Sequence, residues 1–172
     1  MIDEFLPQAY DIRGKLNGMA FLDSELGRAL GMLADIRLDS LSIAGADAGN
    51  LRISGILEDD GEDLEIFVSN ELGGINSFYA NGIYYLDDGR MDISAEFNRL
   101  GLKPAGAFLK DIFESLDGSL SGKLRLQGNV GGLNIESQDL RLENVGALLA
   151  MTGVQYYVDG PVRLANDGIH FD

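Results

Sequence analysis

The stretch from Asp117 to Val130 alternates apolar and polar residues without a break. Leucine, glycine and valine occupy the even positions from 120 to 130, and serine, lysine, arginine, glutamine and asparagine occupy the odd positions between them. A two-residue period is typical of a β-strand that has one apolar face and one polar face. Since about five or six residues is the usual strand length, the stretch predicts an unusually long strand in an extended sheet.

The same alternation recurs along most of the chain and predicts a meander of strands joined by short turns. It changes phase at Asp39-Ser40 and again before Leu140, which predicts a β-bulge or a tight break at each place. The other predicted strands are 10–22, 36–43, 51–57, 64–68, 78–86, 91–97, 133–142, 145–158 with a break at 151–154, and a closing hairpin, 162–171, that turns at 166–168.

Two segments break this rhythm and predict short helices. Pro104 to Leu116 is the stronger, with Pro near its start and Gly118 after its end. Its apolar residues form one helical stripe, namely Phe108, Leu109, Ile112, Phe113 and Leu116. Ser24 to Leu33 has a weaker helical spacing because it contains two glycines. We therefore predict a first meander over 1–100, a helix over 104–116 and a second meander over 117–172.

Charge and cysteine content exclude several classes of function. The chain has 28 acidic and 13 basic residues and a net charge of −15, so nucleic acid is not an expected partner, because phosphate binding needs positive charge. It has no cysteine, and therefore neither a disulfide nor thiolate chemistry. No apolar run approaches the roughly 18 residues of a membrane span. We expect the chain to be a segment of a longer protein.

Candidate catalytic and metal-binding residues are sparse. The chain has a single histidine, His170, which alternates with apolar neighbours and is predicted to face solvent. Nucleophilic triads and zinc sites need several such side chains brought together. The acidic residues Asp59, Asp60, Glu62 and Asp63 could bind calcium, but they lack the spacing of an EF-hand loop and favour a solvated hairpin turn. We predict no catalytic residue, no cofactor and no metal site.

Many strands with one apolar face, and few helices to cover that face, leave two architectures open. The sheet could close on itself as a sandwich or barrel, or it could curl into a trough whose apolar lining stays open along its length. An open apolar surface of that size normally marks a binding groove.

The organising strand also carries a family resemblance. Leu116, Gly118, Leu120, Gly122, Leu124, Leu126 and Gly128 match in register the strand that follows a short helix in the C-terminal repeat region of the TamB family. TamB is the inner-membrane subunit of the translocation and assembly module of Gram-negative bacteria, and it is related to the AsmA-like proteins. The upstream stretch 49–93 resembles the preceding meander of that family. The resemblance implies a mainly β fold: an elongated, curled antiparallel meander, or β-taco, that forms a half-pipe with an apolar interior and one or two short helices.

The resemblance further implies a non-enzymatic role in outer-membrane biogenesis. The expected partners are phospholipid acyl chains or strands of outer-membrane proteins, together with an outer-membrane Omp85-type protein in the full-length chain. The expected location is the periplasm, with an inner-membrane anchor outside this sequence. The rival hypothesis is an extracellular ligand-binding or adhesive β-sandwich. Our predicted groove residues are Met91, Ile93, Phe97, Leu120, Leu124, Leu126 and Val130, and Phe108, Ile112 and Phe113 are predicted to form a helix that caps the groove.

Overall fold

The computed structural model describes residues 11–23, 31–57, 62–129 and 131–171. These residues form ten β-strands and one short helix, which are numbered here in chain order. The elements are β1 (Ile12–Asp23), β2 (Gly31–Ile43), β3 (Ala46–Leu57), β4 (Asp63–Leu72), β5 (Ile75–Tyr85), β6 (Arg90–Gly101), α1 (Lys103–Gly106), β7 (Phe113–Asn129), β8 (Gly132–Leu149), β9 (Gln155–Ala165) and β10 (Gly168–Phe171). No helix within these ranges is long and apolar enough to cross a membrane.

The strands form one open sheet in which each strand pairs antiparallel with the next one in sequence. The order runs from β1 to β10, and these two outer strands do not pair with each other. This confirms the predicted mainly β, curled antiparallel meander. A sandwich or barrel does not form in the described part of the chain, because a sandwich needs a second sheet and a barrel needs paired outer strands.

Several β-bulges interrupt the strand alternation and bend the strands that carry them. Four of them contain a non-glycine residue with positive φ, namely Ser40, Arg99, Asp139 and Asn144. Because a bulge inserts one residue, side chains three positions apart then lie on the same face. The apolar residues that gain this arrangement are Leu38 with Leu41, Phe97 with Leu100, and Leu142 with Val145. The predicted phase changes at Asp39-Ser40 and before Leu140 are thereby confirmed as bulges.

A polar side chain on the neighbouring strand accepts a hydrogen bond from the bulged backbone in three of these places. The acceptor satisfies an N–H group that the interrupted ladder leaves without its regular partner. The donor and acceptor pairs are Ser40 N with Asn50 Oδ1 (2.9 Å), Arg99 N with Ser121 Oγ (3.1 Å) and Asn144 N with Asp159 Oδ2 (3.3 Å). The sequence therefore supplies the side chains that stabilise these three bulges.

The helix predicted over 104–116 is wrong in extent. The structure has one helical turn, Lys103–Gly106, followed by successive turns over 107–112. From Phe113 onward the chain belongs to β7, with Phe113 opposite Leu149 of β8. Ladder hydrogen bonds with β8 replace the helical bonds that the apolar stripe predicted, because tertiary pairing overrides a weak local preference.

The weaker helix predicted over Ser24 to Leu33 lies mostly outside the described residues. Its last positions, from Gly31 to Leu33, belong to β2 and not to a helix. The break predicted at Met151 to Val154 is confirmed as the turn between β8 and β9. The closing hairpin across 166–168 is confirmed as well.

Candidate functional site

The predicted groove residues of β6 and β7 lie on one face of the sheet. Met91, Ile93 and Phe97 follow one parity along β6, and Leu126 lies directly opposite Ile93. Leu124 and Leu120 follow the same parity along β7. The face carrying these six residues is named the apolar face. Val130, the seventh predicted groove residue, lies outside the described residues.

Strand register extends the apolar face well beyond the predicted set. Residues opposite each other in an antiparallel sheet lie on the same face, so each pairing continues a row across the strands. One row contains Met32, Leu57, Leu64, Tyr84, Met91, Gly128 and Leu133. A second contains Ile36, Ile53, Val68, Ala80, Ala95 and Leu124, and a third contains Leu16, Leu38, Leu51, Asn70, Phe78 and Phe97. The groove prediction missed the other strands because sequence gives parity within a strand but not register between strands.

The apolar face is only partly covered. Ala80 of the second row is buried, and so are Leu41, Leu140 and Val162, whereas most other members of the rows are half-exposed. No side chain in the described ranges is completely buried. A closed core would bury many large side chains fully, so the face behaves as an open lining.

The segment 102–112 crosses one part of the apolar face and creates a depression of about 270 Å³ there. α1 contacts both β7 and the more distant β3, which shows that the sheet curls toward its apolar side. Residues that line the depression include Leu41, Leu51, Phe78, Leu100, Pro104 and Phe108. The Phe78 and Phe97 rings pack beside it with their centroids 5.4 Å apart.

The three residues predicted to form a capping helix do not lie together on one helical face. Phe108 lines the depression, as a cap would, but it follows α1 in a turn. Ile112 is exposed to solvent at the end of the same segment. Phe113 belongs to β7 and lines a second depression beside Ala46. The three residues are separated because the segment leaves the helix after Gly106.

Two buried polar side chains, Asn70 and Ser77, lie at the floor of the apolar face. Asn70 Nδ2 donates to the carbonyl oxygen of Ala48 at 2.7 Å, and Ser77 Oγ donates to Asn70 Oδ1 at 2.5 Å. The two bonds join β3, β4 and β5 next to the depression. Because both side chains are satisfied internally, they stabilise the floor without giving it an unpaired polar group.

The opposite face carries ion pairs that bridge neighbouring strands. Arg125 donates to Asp92 at 2.8 and 3.0 Å, and Gln127 donates to the same carboxylate at 3.0 Å. These hydrogen bonds hold the pKa of Asp92 below its usual value. Arg52 forms a similar bidentate pair with Asp35. Cross-strand pairs of this kind favour one register.

The His170 side chain contacts an aspartate in its own hairpin turn. Its Nε2 lies 2.9 Å from Asp167 Oδ1, and this partner lowers the pKa of the Asp167 carboxyl. Within the part of the chain that the structure describes, no group of three or more histidine, aspartate or glutamate side chains could hold a metal ion. Asp59 and Asp60 of the acidic turn lie outside that part.

Comparisons with protein-family models, with curated proteins and with solved structures found no match.

Proposed function

We propose that this chain is a non-enzymatic segment of a TamB-like envelope protein, and that its apolar face forms part of a hydrophobic conduit for outer-membrane biogenesis. The proposal places the segment in the periplasm of a Gram-negative cell, in a longer protein anchored in the inner membrane. The observation that carries it is the continuous, half-exposed apolar face, which extends across the strands of a curled sheet.

Phospholipid acyl chains are the cargo that this face suits best. Hydrocarbon chains bind through the removal of apolar surface from water and need no directional partner. The rows of leucine, isoleucine, valine and phenylalanine offer such a surface over many strands, and the polar groups at its floor are already bonded to each other. A chain held there could move from row to row without breaking specific contacts.

Assembly of outer-membrane proteins is the second candidate, and the open edge of β1 favours it. β1 pairs with β2 along one side, while its other edge has no partner strand in the described sheet. An exposed edge of 12 residues can accept an incoming extended polypeptide through backbone hydrogen bonds.

A titration with a fluorescent fatty acid tests the conduit, beside mass spectrometry of organic extracts from the purified chain. Ile93→Asn places an amide on the apolar face. Ile83→Asn is its matched control, since Ile83 is also a half-exposed isoleucine but lies on the other face of the adjacent strand. We expect co-purified phospholipid and saturable probe binding that Ile93→Asn weakens about tenfold. Equal affinity in the two variants, or no binding by the wild type, would contradict the conduit.

A photoreactive residue at position 126 separates the two cargoes. Leu126 lies opposite Ile93 on the apolar face, so adducts of a residue at this position sample what occupies that face. Crosslinking in cells to phospholipid supports lipid transport, whereas crosslinking to outer-membrane polypeptides supports protein assembly.

A further inference from the structure

The hairpin between β8 and β9 ends in an exposed apolar tip. The exposed residues of this tip, named the apolar tip, are Ile112, Met151, Val154, Tyr156 and Tyr157. Met151 is 91% exposed and Tyr157 is 84% exposed. Ile112 belongs to the tip because its carbonyl oxygen accepts a hydrogen bond from Ala150 N at 3.0 Å. Contiguous exposed apolar side chains normally mark an interaction surface.

The tip is exposed on both faces of the sheet. Tyr156 and Tyr157 are consecutive strand residues, so their rings point to opposite faces. Tyr157 lies opposite Gly146, which has no side chain to cover the ring. A flat protein partner covers one face of a hairpin and leaves the other in water. A bilayer interface surrounds a protruding hairpin on both faces.

The hairpin turns are acidic at one end of the sheet and uncharged at the other. Turns of a meander alternate between the two ends of its strands. At the end opposite the tip, the turns contain Asp87, Asp88 and Asp167. At the end that includes the tip, the hairpin turns 44–45, 73–74 and 150–154 contain no charged residue, and the charges of the longer connection there are Lys103, Lys110 and Asp111. The whole stretch 145–158 is uncharged, in a protein of net charge −15.

We infer that the apolar tip inserts into the interface of a lipid bilayer. Tyrosine suits that position because its ring is apolar and its hydroxyl remains in contact with headgroups. The acidic end of the sheet then lies away from the membrane surface. The segment 102–112 contains both Ile112 of the tip and Phe108, which lines the depression, so the apolar tip and the conduit are adjacent along one short segment. This inference deepens the proposed function and rests on it for the conduit.

Co-flotation of the full chain with phosphatidylcholine vesicles tests membrane insertion. We expect Met151→Asp and Tyr157→Asp each to lower vesicle partitioning about tenfold, because a charge must then enter the interface. Met19→Asp is the matched control, since Met19 is an exposed methionine on β1, far from the tip in the strand order. Its partitioning should stay within about twofold of the wild type. Addition of phosphatidylglycerol should weaken binding of all forms through repulsion of the acidic chain.

Two results would overturn the inference: a wild-type chain that does not float, or equal losses in Met151→Asp and Met19→Asp. Failure to float in every form would leave a protein as the partner of the tip. Flotation and the fatty-acid titration, each carried out on the Met151→Asp and the Ile93→Asn variants, keep the two proposals separate. Flotation that depends on Met151 without probe binding would refute the conduit and support the tip. Probe binding that depends on Ile93 without flotation would support the conduit and refute the tip.

Discussion

Gly122 offers the sharpest test of how the bulges shape this sheet. It lies on β7 with a φ of +118°, opposite the bulge of β8. A Cβ atom at this position would lie 2.4 Å from the carbonyl oxygen of Asp139 and 2.7 Å from the Cα of Leu140. Both are backbone atoms, so no side-chain rotation can relieve the clash. We therefore expect Gly122→Ala to force the two strands apart.

The expected magnitude follows from two separate costs. A non-glycine residue held in a sparsely populated φ/ψ region costs about 1–3 kcal/mol. Insertion of a methyl group into a tightly packed place costs about 1–3 kcal/mol more. We expect Gly122→Ala to lower the free energy of unfolding by about 4 kcal/mol, a large part of the roughly 5–15 kcal/mol that folded domains have.

Two other glycines serve as matched controls. Gly73 also has positive φ, +61°, but a Cβ atom there would meet nothing within 4 Å. Gly73→Ala should therefore show the conformational cost alone, about 1 kcal/mol. Gly101 does not have a positive φ, and a Cβ atom there would also meet nothing within 4 Å. Gly101→Ala should therefore change the free energy of unfolding by about 0.5 kcal/mol or less.

Equilibrium urea unfolding, followed by far-ultraviolet circular dichroism, measures the three variants. The dependence of the free energy on urea should stay constant, so that the midpoints report stability. A loss for Gly122→Ala no larger than the loss for Gly73→Ala would refute the reasoning. That result would mean that the β8 backbone moves aside at little cost, and that close packing against the bulge does not require glycine.

Two weaker interactions should also contribute measurably to stability. Ser121→Ala removes the acceptor of the Arg99 backbone N–H and should lower the free energy of unfolding by about 1 kcal/mol in urea. Ser94→Ala, at an exposed serine on β6, is the control, and an equal loss there would contradict the role of that hydrogen bond. Asp92→Asn should destabilise the chain by about 0.5 kcal/mol at neutral pH, because the pair with Arg125 is solvent-exposed. Since the folded state lowers the pKa of Asp92 from its ordinary value of 3.8, the stabilisation is present above about pH 4 and is lost progressively at lower pH. A difference between wild type and variant that is the same at pH 7 and pH 2.5 would be incompatible with this linkage.

The sequence predicted the strands, most turns and the parity of the apolar face. Alternation within a strand is a local property, because successive side chains point to opposite faces whatever the neighbouring strand is. This is why Met91 and Ile93 could be placed on one face of β6, and Leu124 and Leu126 on one face of β7, from the sequence. The phase changes near Ser40 and Leu140 were also visible as bulges, since an inserted residue shifts the parity of everything that follows.

Only the tertiary structure decided how far the helix extends and how the rows join. Phe113 fits an apolar helical stripe, yet it pairs with Leu149, which is distant in sequence. The long-range ladder determines its conformation. Register between strands likewise depends on pairs such as Arg125 with Asp92 and on glycines that meet a bulge. The openness of the apolar face was undecided for the same reason: sequence gives each strand an apolar side, but only the folded chain determines whether another layer covers it.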